Sequence, residues 1–264
     1  MLLDELFDIK NIICTYIDDL KDITNLYNLN KDHQNNIMIT NLYDTPKKYL
    51  NRLNQQIIEQ NKYKNVEKLC VSGNEKIKNV NHVKNTLKIL NCDDFYYYNG
   101  IDQNGITELN LIELSANKNI RITSVNHMKK TLKKLNCSHD CGIDQNGISE
   151  LNLIELDANS NEKINNVNHM KKTLKYLNCS RSTKIDQKGI SEISLIKLYA
   201  FNNKKIENVN HMKETLKILD CSYDSGIDQN GISELNLIEL YTNNNDKIKN
   251  VNHMKKNTSR SRWA

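Results

Sequence analysis

Three stretches decide the fold: LKKLNC at residues 132–137, LIELDA at residues 153–158 and LKYLNC at residues 174–179. Each has the pattern L-x-x-L-x-C/A, and their first leucines, Leu132, Leu153 and Leu174, stand at a constant spacing of 21. The same frame also begins at Val66, Leu87, Leu111, Leu195, Leu216 and Leu237. A short unit at a fixed period is the signature of a repeat protein, in which each unit buries its apolar face against its neighbours. The sequence therefore predicts about nine stacked units.

A longer repeat, twice the length of this unit, is laid over it. The tripeptide Val-Asn-His recurs along the chain, and the intervals between its successive histidines are 45, 42, 42 and 42. These histidines are His82, His127, His169, His211 and His253. The longer first step reflects a three-residue insertion around residues 95–98. Two kinds of unit therefore alternate along the array.

Each apolar stretch is expected to form one short strand of a parallel sheet, because its residues alternate between an inner and an outer face. The spacing predicts strands at residues 68–70, 89–91, 113–115, 134–136, 155–157, 176–178, 197–199, 218–220 and 239–241. Later apolar positions such as Ile143, Ile148 and Leu151 are expected to line the return path of the chain. The array is predicted to occupy residues 66–264.

The repeat resembles that of leucine-rich-repeat proteins, whose signature is L-x-x-L-x-L-x-x-N with a further apolar residue soon after. The Asn of that signature falls in alternate units, at Asn74, Asn119, Asn161, Asn203 and Asn245, and an Ile follows at Ile77, Ile122, Ile164, Ile206 and Ile248. The other units depart from it, with Asp140, Ser182 and Asp224 at that position. The resemblance implies an α/β fold, a horseshoe-shaped leucine-rich-repeat solenoid with a parallel sheet on its concave face. It also implies a protein that binds other macromolecules.

Residues 1–45 do not share the repeat and show apolar residues at helical spacing. They are expected to form a small helical N-terminal region, and residues 46–65 a connecting or capping helix. The run LLDELFDIKNIICTYIDDLKDITNLYNLNK at residues 2–31 resembles an F-box, the helical module that docks onto the Skp-type adaptor of cullin ubiquitin ligases. Leu3 stands where that family has a proline. The resemblance implies adaptor binding through Leu2, Leu6, Ile9 and Ile13; alternatively, these residues pack inward and cap the first repeat.

No catalytic constellation, cofactor motif or metal site is expected. Cys92, Cys137, Cys179 and Cys221 fill the third apolar slot of the strand, where a small thiol packs well. Equivalent histidines two strands apart stand about 10 Å from each other, which is too far to share one ion. The run Asp144-Gln145-Asn146-Gly147 lacks the carboxylates of a calcium loop and is interpreted as a turn.

Composition indicates a folded intracellular, cytoplasmic protein without a membrane span or signal peptide. The chain has a net charge of +5, although residues 1–40 hold seven acidic against three basic residues. The basic C-terminal run from Lys255 to Trp263 is expected to be a solvated tail, since aromatic residues are not interleaved through a basic groove. Nucleic acid is therefore not the expected partner.

The partner-binding surface is predicted on the concave face, where outward positions of the C-terminal units carry large apolar side chains. Exposed aromatic residues are the type that anchors protein interfaces. The predicted contact residues are Tyr176, Tyr199, Phe201, Ile218, Tyr223 and Tyr241. Two functions remain open: a substrate-recognition adaptor of a cullin-type ubiquitin ligase, or a stand-alone leucine-rich-repeat scaffold. Both are protein–protein interaction roles and neither is enzymatic.

Overall fold

The computed structural model describes residues 38–44, 50–94, 100–181 and 183–254, together with the backbone of residues 259–260. The helices expected in residues 1–37 and the insertion at residues 95–98 lie outside the described residues. The chain forms two compact units, Met1–Ile122 and Thr123–Ala264.

Within its described residues, the first unit contains a parallel sheet of four strands and one short helix that has both of its ends described. Its strands are β1 (Asn41–Leu42), β2 (Lys68–Cys70), β3 (Ile89–Asn91) and β4 (Glu113–Ser115), paired in sequence order. Helix α1 (Gln55–Ile58) is capped at its N-terminus by Asn54, whose side chain accepts a hydrogen bond from the amide of Ile57 at 2.9 Å. The described part of this unit also has three 3-10 turns, at Asn61–Tyr63, Asn81–Val83 and Asn104–Ile106. Strand β1 thus lies within the range in which the sequence predicted a helical region.

The second unit repeats the same plan with a parallel sheet of seven strands. These are β5 (Lys134–Asn136), β6 (Glu155–Asp157), β7 (Tyr176–Asn178), β8 (Lys197–Tyr199), β9 (Ile218–Asp220), β10 (Glu239–Tyr241) and β11 (Ser259–Arg260). A 3-10 turn lies between most neighbouring strands, at Asn126–Met128, Asn146–Ile148, Asn168–Met170, Lys188–Ile190, Asn210–Met212 and Asn230–Ile232. We call the segment that carries the 3-10 turn the return side of each repeat.

The prediction of an α/β leucine-rich-repeat solenoid with parallel strands is confirmed. All nine strands expected from the repeat spacing form at the expected residues. The periodicity located them because the middle residue of every strand is a leucine that must face the core. Strands β1 and β11 were not expected, since both lie outside the repeated frame.

The core of the second unit consists of stacked rows of aliphatic side chains. The middle leucine of each strand from β5 to β10 is buried, as are the return-side residues Ile143, Ile148 and Leu151. Full burial of one such side chain stabilises a fold by roughly 1.5–3 kcal/mol. Because every row is completed by the neighbouring repeat, this stabilisation depends on stacking and not on any single repeat.

A buried asparagine in alternate repeats bonds to the repeat before it. The Nδ2 of Asn161 donates to the carbonyl oxygens of Cys137 at 2.7 Å and Ile143 at 3.1 Å, and its Oδ1 accepts from the amide of Lys163 at 2.9 Å. The same pattern of bonds is made by Asn203 and Asn245, and within the first unit by Asn74 and Asn119. The asparagine positions of the repeat signature are thereby explained.

In the other repeats, the buried residue that corresponds to this asparagine lies one residue later than the repeat spacing predicts. Asp140 and Asp224 are exposed, and Ser182 lies outside the described residues. The buried residues are instead Cys141, Thr183 and Ser225. The hydroxyl oxygens of Thr183 and Ser225 accept from the amide two residues on, at 2.8 and 3.4 Å, as Oδ1 of the asparagine does. Asp140 and Asp224, which follow the sequence frame of that asparagine, are therefore not the buried residues of these loops.

The D-Q-N-G sequence forms a turn that locks each repeat to its neighbours. Asp144 accepts from the amide of Gly147 at 2.8 Å, and Gln145 both donates to and accepts from the backbone of Asn166 at 3.0 Å. A Cβ on Gly147 would lie 2.2 Å from the carbonyl oxygen of Thr123, so only glycine permits this approach. The interpretation of this run as a turn rather than a calcium loop agrees with the geometry.

We predict that Asn161→Ala destabilises the second unit by about 2 to 3 kcal/mol. The change leaves two buried carbonyls and one amide without their side-chain partner, and an unsatisfied buried polar group costs about 1–3 kcal/mol. Urea unfolding followed by circular dichroism measures the loss. The matched control is Asn165→Ala, whose side chain is exposed and which should change stability by less than about 0.5 kcal/mol. Equal effects of the two substitutions would contradict the bonding role of Asn161.

Candidate functional site

The outer face of the sheet in the second unit is the candidate site, and we call it the strand face. In every strand from β5 to β10 the middle leucine is buried, so the first and third residues point away from the core. The first-position row is Lys134, Glu155, Tyr176, Lys197, Ile218 and Glu239. The third-position row is Asn136, Asp157, Asn178, Tyr199, Asp220 and Tyr241. Parallel in-register pairing aligns both rows across the sheet.

Four of the six predicted contact residues lie in these two rows. Tyr176 and Ile218 occupy the first-position row, on either side of Lys197 in the strand register. Tyr199 and Tyr241 occupy the third-position row, on either side of Asp220. Tyr176 is 37% exposed and the other three are half-buried. The structure thus places these four on one face of one sheet, toward β7–β10.

The remaining two predicted residues form a separate cluster in the turns that follow the strands. Phe201 follows β8 and Tyr223 follows β9, and their rings meet edge to face with centroids 4.8 Å apart. The guanidinium of Arg181 lies 5.5 Å from the ring centroid of Phe201. Tyr223 is 47% exposed. These two aromatic residues therefore adjoin the strand rows without belonging to them.

Polar contacts fix the orientation of two tyrosines on the strand face. The ammonium of Lys197 lies 4.8 Å from the ring centroid of Tyr199, a distance at which a cation is attracted to the ring. The hydroxyl of Tyr241 donates to Glu239 at 2.8 Å, and this hydrogen bond raises the pKa of Tyr241. The phenol therefore stays neutral across the physiological range and presents its ring with a polar tip.

Tyr199 and Tyr241 replace residues that make a turn. At the third strand position Asn136 accepts from the amide of Ser138 at 3.1 Å, and Asp157 accepts from that of Asn159 at 3.0 Å. Asn178 and Asp220 make the same bond in their own repeats. A tyrosine has no carboxylate or amide to make this bond. The aromatic residues thus stand where local structure favours Asn or Asp.

A row of exposed isoleucines borders the strand face. These isoleucines are not among the contact residues predicted from the sequence. Ile154, Ile196 and Ile238 immediately precede the first strand position and are 39%, 37% and 53% exposed. Lysines hold the same place in the alternate repeats, at Lys133, Lys175 and Lys217. The signal was present in the recurring Leu-Ile-Glu-Leu, whose isoleucine falls between the two buried leucines and therefore outside the core. In the first unit, Ile112 holds this place and is 42% exposed.

The cysteines have structural surroundings. Cys137, Cys179 and Cys221 are buried, and each thiol donates to a carbonyl oxygen of the next strand at 3.5–3.6 Å. Burial raises the pKa of Cys179 to about 12 and raises those of Cys137 and Cys221 as well. Since the thiolate is the form that attacks electrophiles and binds metals, these thiols are poorly suited to either chemistry.

The histidines bond to the backbone of the preceding repeat. The Nε2 atoms of His169, His211 and His253 lie 3.1, 3.1 and 3.2 Å from the carbonyl oxygens of Ile148, Ile190 and Ile232. A carbonyl partner requires the Nε2–H tautomer, and burial lowers the pKa of His169. Across the described residues, no group of three or more His, Cys, Asp and Glu side chains is arranged to hold a metal ion.

Two further sequence predictions bear on partners. Leu2, Leu6, Ile9 and Ile13, predicted to contact an adaptor, lie outside the described residues.

Within the described ranges, no helix has the length and apolar character needed to cross a membrane.

Comparison with known proteins supports the fold. No protein-family model matches the sequence, and no curated protein does. The chain is similar to the crystal structure of the Rad7 and Elc1 complex in yeast, with a TM-score of 0.49 and 14% identity over 98% of this chain and 93% of that chain. It is also similar to the crystal structure of the TLR13–ssRNA13 complex, with a TM-score of 0.50 and 15% identity over 84% of this chain and 35% of that chain. The second likeness, to a leucine-rich-repeat protein, agrees with the solenoid class and extends to the fold alone.

We predict that Cys137, Cys179 and Cys221 resist alkylation in the native protein at pH 8 and react once urea unfolds it. The half-buried Cys70 should react faster than these three. Iodoacetamide labelling with peptide mapping by mass spectrometry resolves each site. Because the Cys179 pKa rises from 9.0 to about 12 on folding, the stability that the protonated thiol contributes is present below pH 9 and is lost as pH rises toward 12. Rapid native labelling of Cys179 would contradict its burial.

Proposed function

We propose that this chain is a protein–protein interaction protein that holds its partner on the strand face of the second unit. The observation that carries the proposal is the concentration of Tyr176, Tyr199, Ile218 and Tyr241 on one face, bordered by exposed isoleucines. Large apolar side chains that water contacts are the usual anchors of interfaces.

The surroundings of these residues fit an interface. Aromatic and aliphatic side chains are interspersed with charged ones in both rows, with Lys197 between Tyr176 and Ile218 and Asp220 between Tyr199 and Tyr241. The rings can supply buried contact area and the charged residues hydrogen bonds, which are both parts of a typical protein interface. Strands held in register also keep the side chains in place before binding, which lowers the entropy lost on association.

A binding role also fits the chemistry of the described residues. The buried thiols are held protonated, and the bonded histidine rings contact backbone carbonyls. Groups of these kinds serve in nucleophilic and acid–base catalysis only when they are activated and accessible. We therefore propose that the chain supplies recognition, and that any reaction belongs to the proteins it assembles with.

The finer proposal is that the chain is the substrate-recognition adaptor of a cullin-type ubiquitin ligase. It rests on the resemblance of residues 2–31 to an F-box and on the position of that segment before a repeat array. In this arrangement Leu2, Leu6, Ile9 and Ile13 insert into a Skp-type adaptor, as apolar helix faces do in grooves. The alternative is a stand-alone scaffold in which the same residues pack against the repeats.

For the strand face, we predict that the triple variant Tyr176→Ala, Tyr199→Ala, Tyr241→Ala weakens partner binding at least about 30-fold, since central interface anchors contribute about 2 kcal/mol or more each. Partners captured by cross-linking are identified by mass spectrometry, and their affinities are then measured with purified proteins. The matched control is Lys129→Ala, Lys171→Ala, Lys213→Ala, which removes exposed ion pairs on the return side. Unchanged affinity of the tyrosine variant would overturn the assignment.

For the N-terminal region, we predict that the purified chain binds a Skp-type adaptor and that Leu6→Asp abolishes this binding while the repeats remain folded. A charge in an apolar groove loses its hydration without gaining a partner. Isothermal titration measures binding, and circular dichroism reports the repeats. The control is Asn11→Asp, because a helix of this spacing places residue 11 opposite Leu6. Absence of adaptor binding by the unmodified chain would leave the stand-alone scaffold as the function.

A further inference from the structure

The loops that follow β6, β7 and β8 line a basic pocket that the strand-face proposal does not use. Its volume is about 380 Å³. Four basic side chains and one acidic side chain belong to its lining, which consists of Glu162, Arg181, Thr183, Lys184, Asn202, Asn203, Lys204 and Lys205. The lining therefore carries an excess of three positive charges.

Among the three long repeats of the second unit, this basic character belongs to the one that contains β7 and β8. The same loops recur 42 residues earlier and 42 residues later in the chain. We call these two the sister repeats and compare their residues with those of the pocket. At the position of Arg181 the sister repeats have His139 and Tyr223. At the position of Lys184 they have Gly142 and Gly226, and at the position of Lys204 they have Glu162 and Asp246. Three positions have become cationic together, and in the two sister repeats they are neutral, glycine or acidic. Chance variation along a repeat does not favour three such changes around one cavity.

One of these changes falls at a position where packing favours glycine. In the sister repeat a Cβ on Gly226 would lie 2.5 Å from the carbonyl oxygens of both Lys204 and Ile206. Real Cβ atoms do not approach backbone oxygen so closely, so a side chain at this slot requires the loop to shift. Lys184 holds that slot in the pocket repeat, and a lysine there runs against the packing preference of the fold.

Two of the four cations are available to a ligand. Lys205 donates to the carbonyl oxygen of Thr183 at 2.9 Å, and Lys204 pairs with Asp224 at 3.2 Å. Within the described part of the chain, neither Arg181 nor Lys184 pairs with a carboxylate. The backbone of Arg181 has a positive φ of 63°, and its guanidinium lies against Phe201, which in turn packs on Tyr223. Arg181 itself belongs to the lining of the pocket.

The distribution of charge indicates one anionic group rather than a polyanion. A nucleic-acid backbone needs cations over a long track, because it presents a phosphate at every nucleotide. Instead of further cations, the lining itself includes Glu162, and Asp224 and Asp246 follow in the loops of the next two strands. A phosphate monoester has a charge near −2 and three acceptor oxygens, which match a guanidinium and ammonium groups better than one carboxylate does.

We propose that this pocket binds the phosphate group of a phosphorylated serine or threonine in a partner protein. The proposal rests on the proposed function only in taking the partner to be a protein. Arg181 would donate two parallel hydrogen bonds to the phosphate oxygens, and Lys184 would neutralise its charge. Lys204 would exchange its exposed ion pair with Asp224 for the phosphate. The aromatic pair Phe201 and Tyr223 offers an apolar surface to residues beside the phosphorylated one.

The test uses the full chain and three short probes: acetyl-Ala-phosphoserine-Ala-amide, the same peptide with serine, and the same peptide with glutamate. Titration is followed by NMR of the Arg181 side-chain Nε–H and of the Phe201 and Tyr223 rings. The phosphorylated peptide should shift these signals saturably and bind at least ten-fold more tightly than the other two. Inorganic phosphate should compete with it, which separates the phosphate group from the peptide as the source of binding.

The decisive variant gives the pocket the residues of its sister repeat: Arg181→His, Lys184→Gly and Lys204→Glu. These loops already exist in the chain with those residues, so the variant is expected to fold, and circular dichroism verifies this. Binding of the phosphorylated peptide should fall at least ten-fold. The control Lys130→Glu, Lys172→Glu makes the same change of four charges at exposed return-side positions, and binding should persist.

Three outcomes would overturn the proposal. One is the absence of saturable shifts at the pocket, and another is equal weakening by the control, which would indicate unspecific attraction. The third is tighter binding of a single-stranded oligonucleotide with a steep dependence on salt, which would favour nucleic acid. The variant Tyr176→Ala, Tyr199→Ala, Tyr241→Ala should still bind the phosphorylated peptide. Failure of the pocket and failure of the strand face are thereby distinguishable.

Discussion

The structure depends on hydrogen bonds from the side chains of one repeat to the backbone of the next. A strand of three residues satisfies few backbone groups, and most of each repeat is irregular chain whose amides and carbonyls still need partners. Asn161 and Gln145 meet this need, as does His169, each across a repeat boundary. Stacking is therefore obligatory for polar as well as apolar reasons. The abundance of asparagine, which could be taken for compositional bias alone, has a physical use here, since an amide can donate and accept at once.

This constraint divides the residues of a repeat into two classes. Positions that bond or pack across a boundary are held to one residue type, as Gly147 is by the carbonyl of Thr123 and Leu156 is by the core. Positions on the strand face and in the loops after the strands are free to vary without loss of stacking. Tyr199 and Arg181 belong to this second class. Differences between repeats therefore concentrate where a ligand could meet them, which is the basis of both proposed sites.

The sequence was sufficient for the strands and insufficient for the turns. A leucine that recurs at the same place in every repeat fixes strand position and direction, because moving a strand by one residue would expose its buried row. Counting along the chain did not locate the slot filled by Thr183 and Ser225, since a shift of one residue in an irregular loop leaves no trace in the period. Ile154 and its equivalents were missed because the outward positions were taken from the predicted strands, which begin one residue later. The basic pocket was also hidden, as its lining comes from the loops of successive repeats.

The near-identity of the repeats makes them internal controls for one another. In an ordinary globular domain, an unusual residue such as Arg181 has no counterpart against which to judge it. Here His139 and Tyr223 occupy the same backbone position with the same left-handed conformation, at φ values of 59° in both cases against 63° for Arg181. The fold is therefore the same at the three places, and fold alone does not account for the guanidinium. The same comparison applies to Tyr199 and Tyr241, which stand where Asn136 and Asp157 make a turn bond. A residue that departs from its repeat, at an exposed position and against local preference, is what selection for binding would leave in an array of this kind.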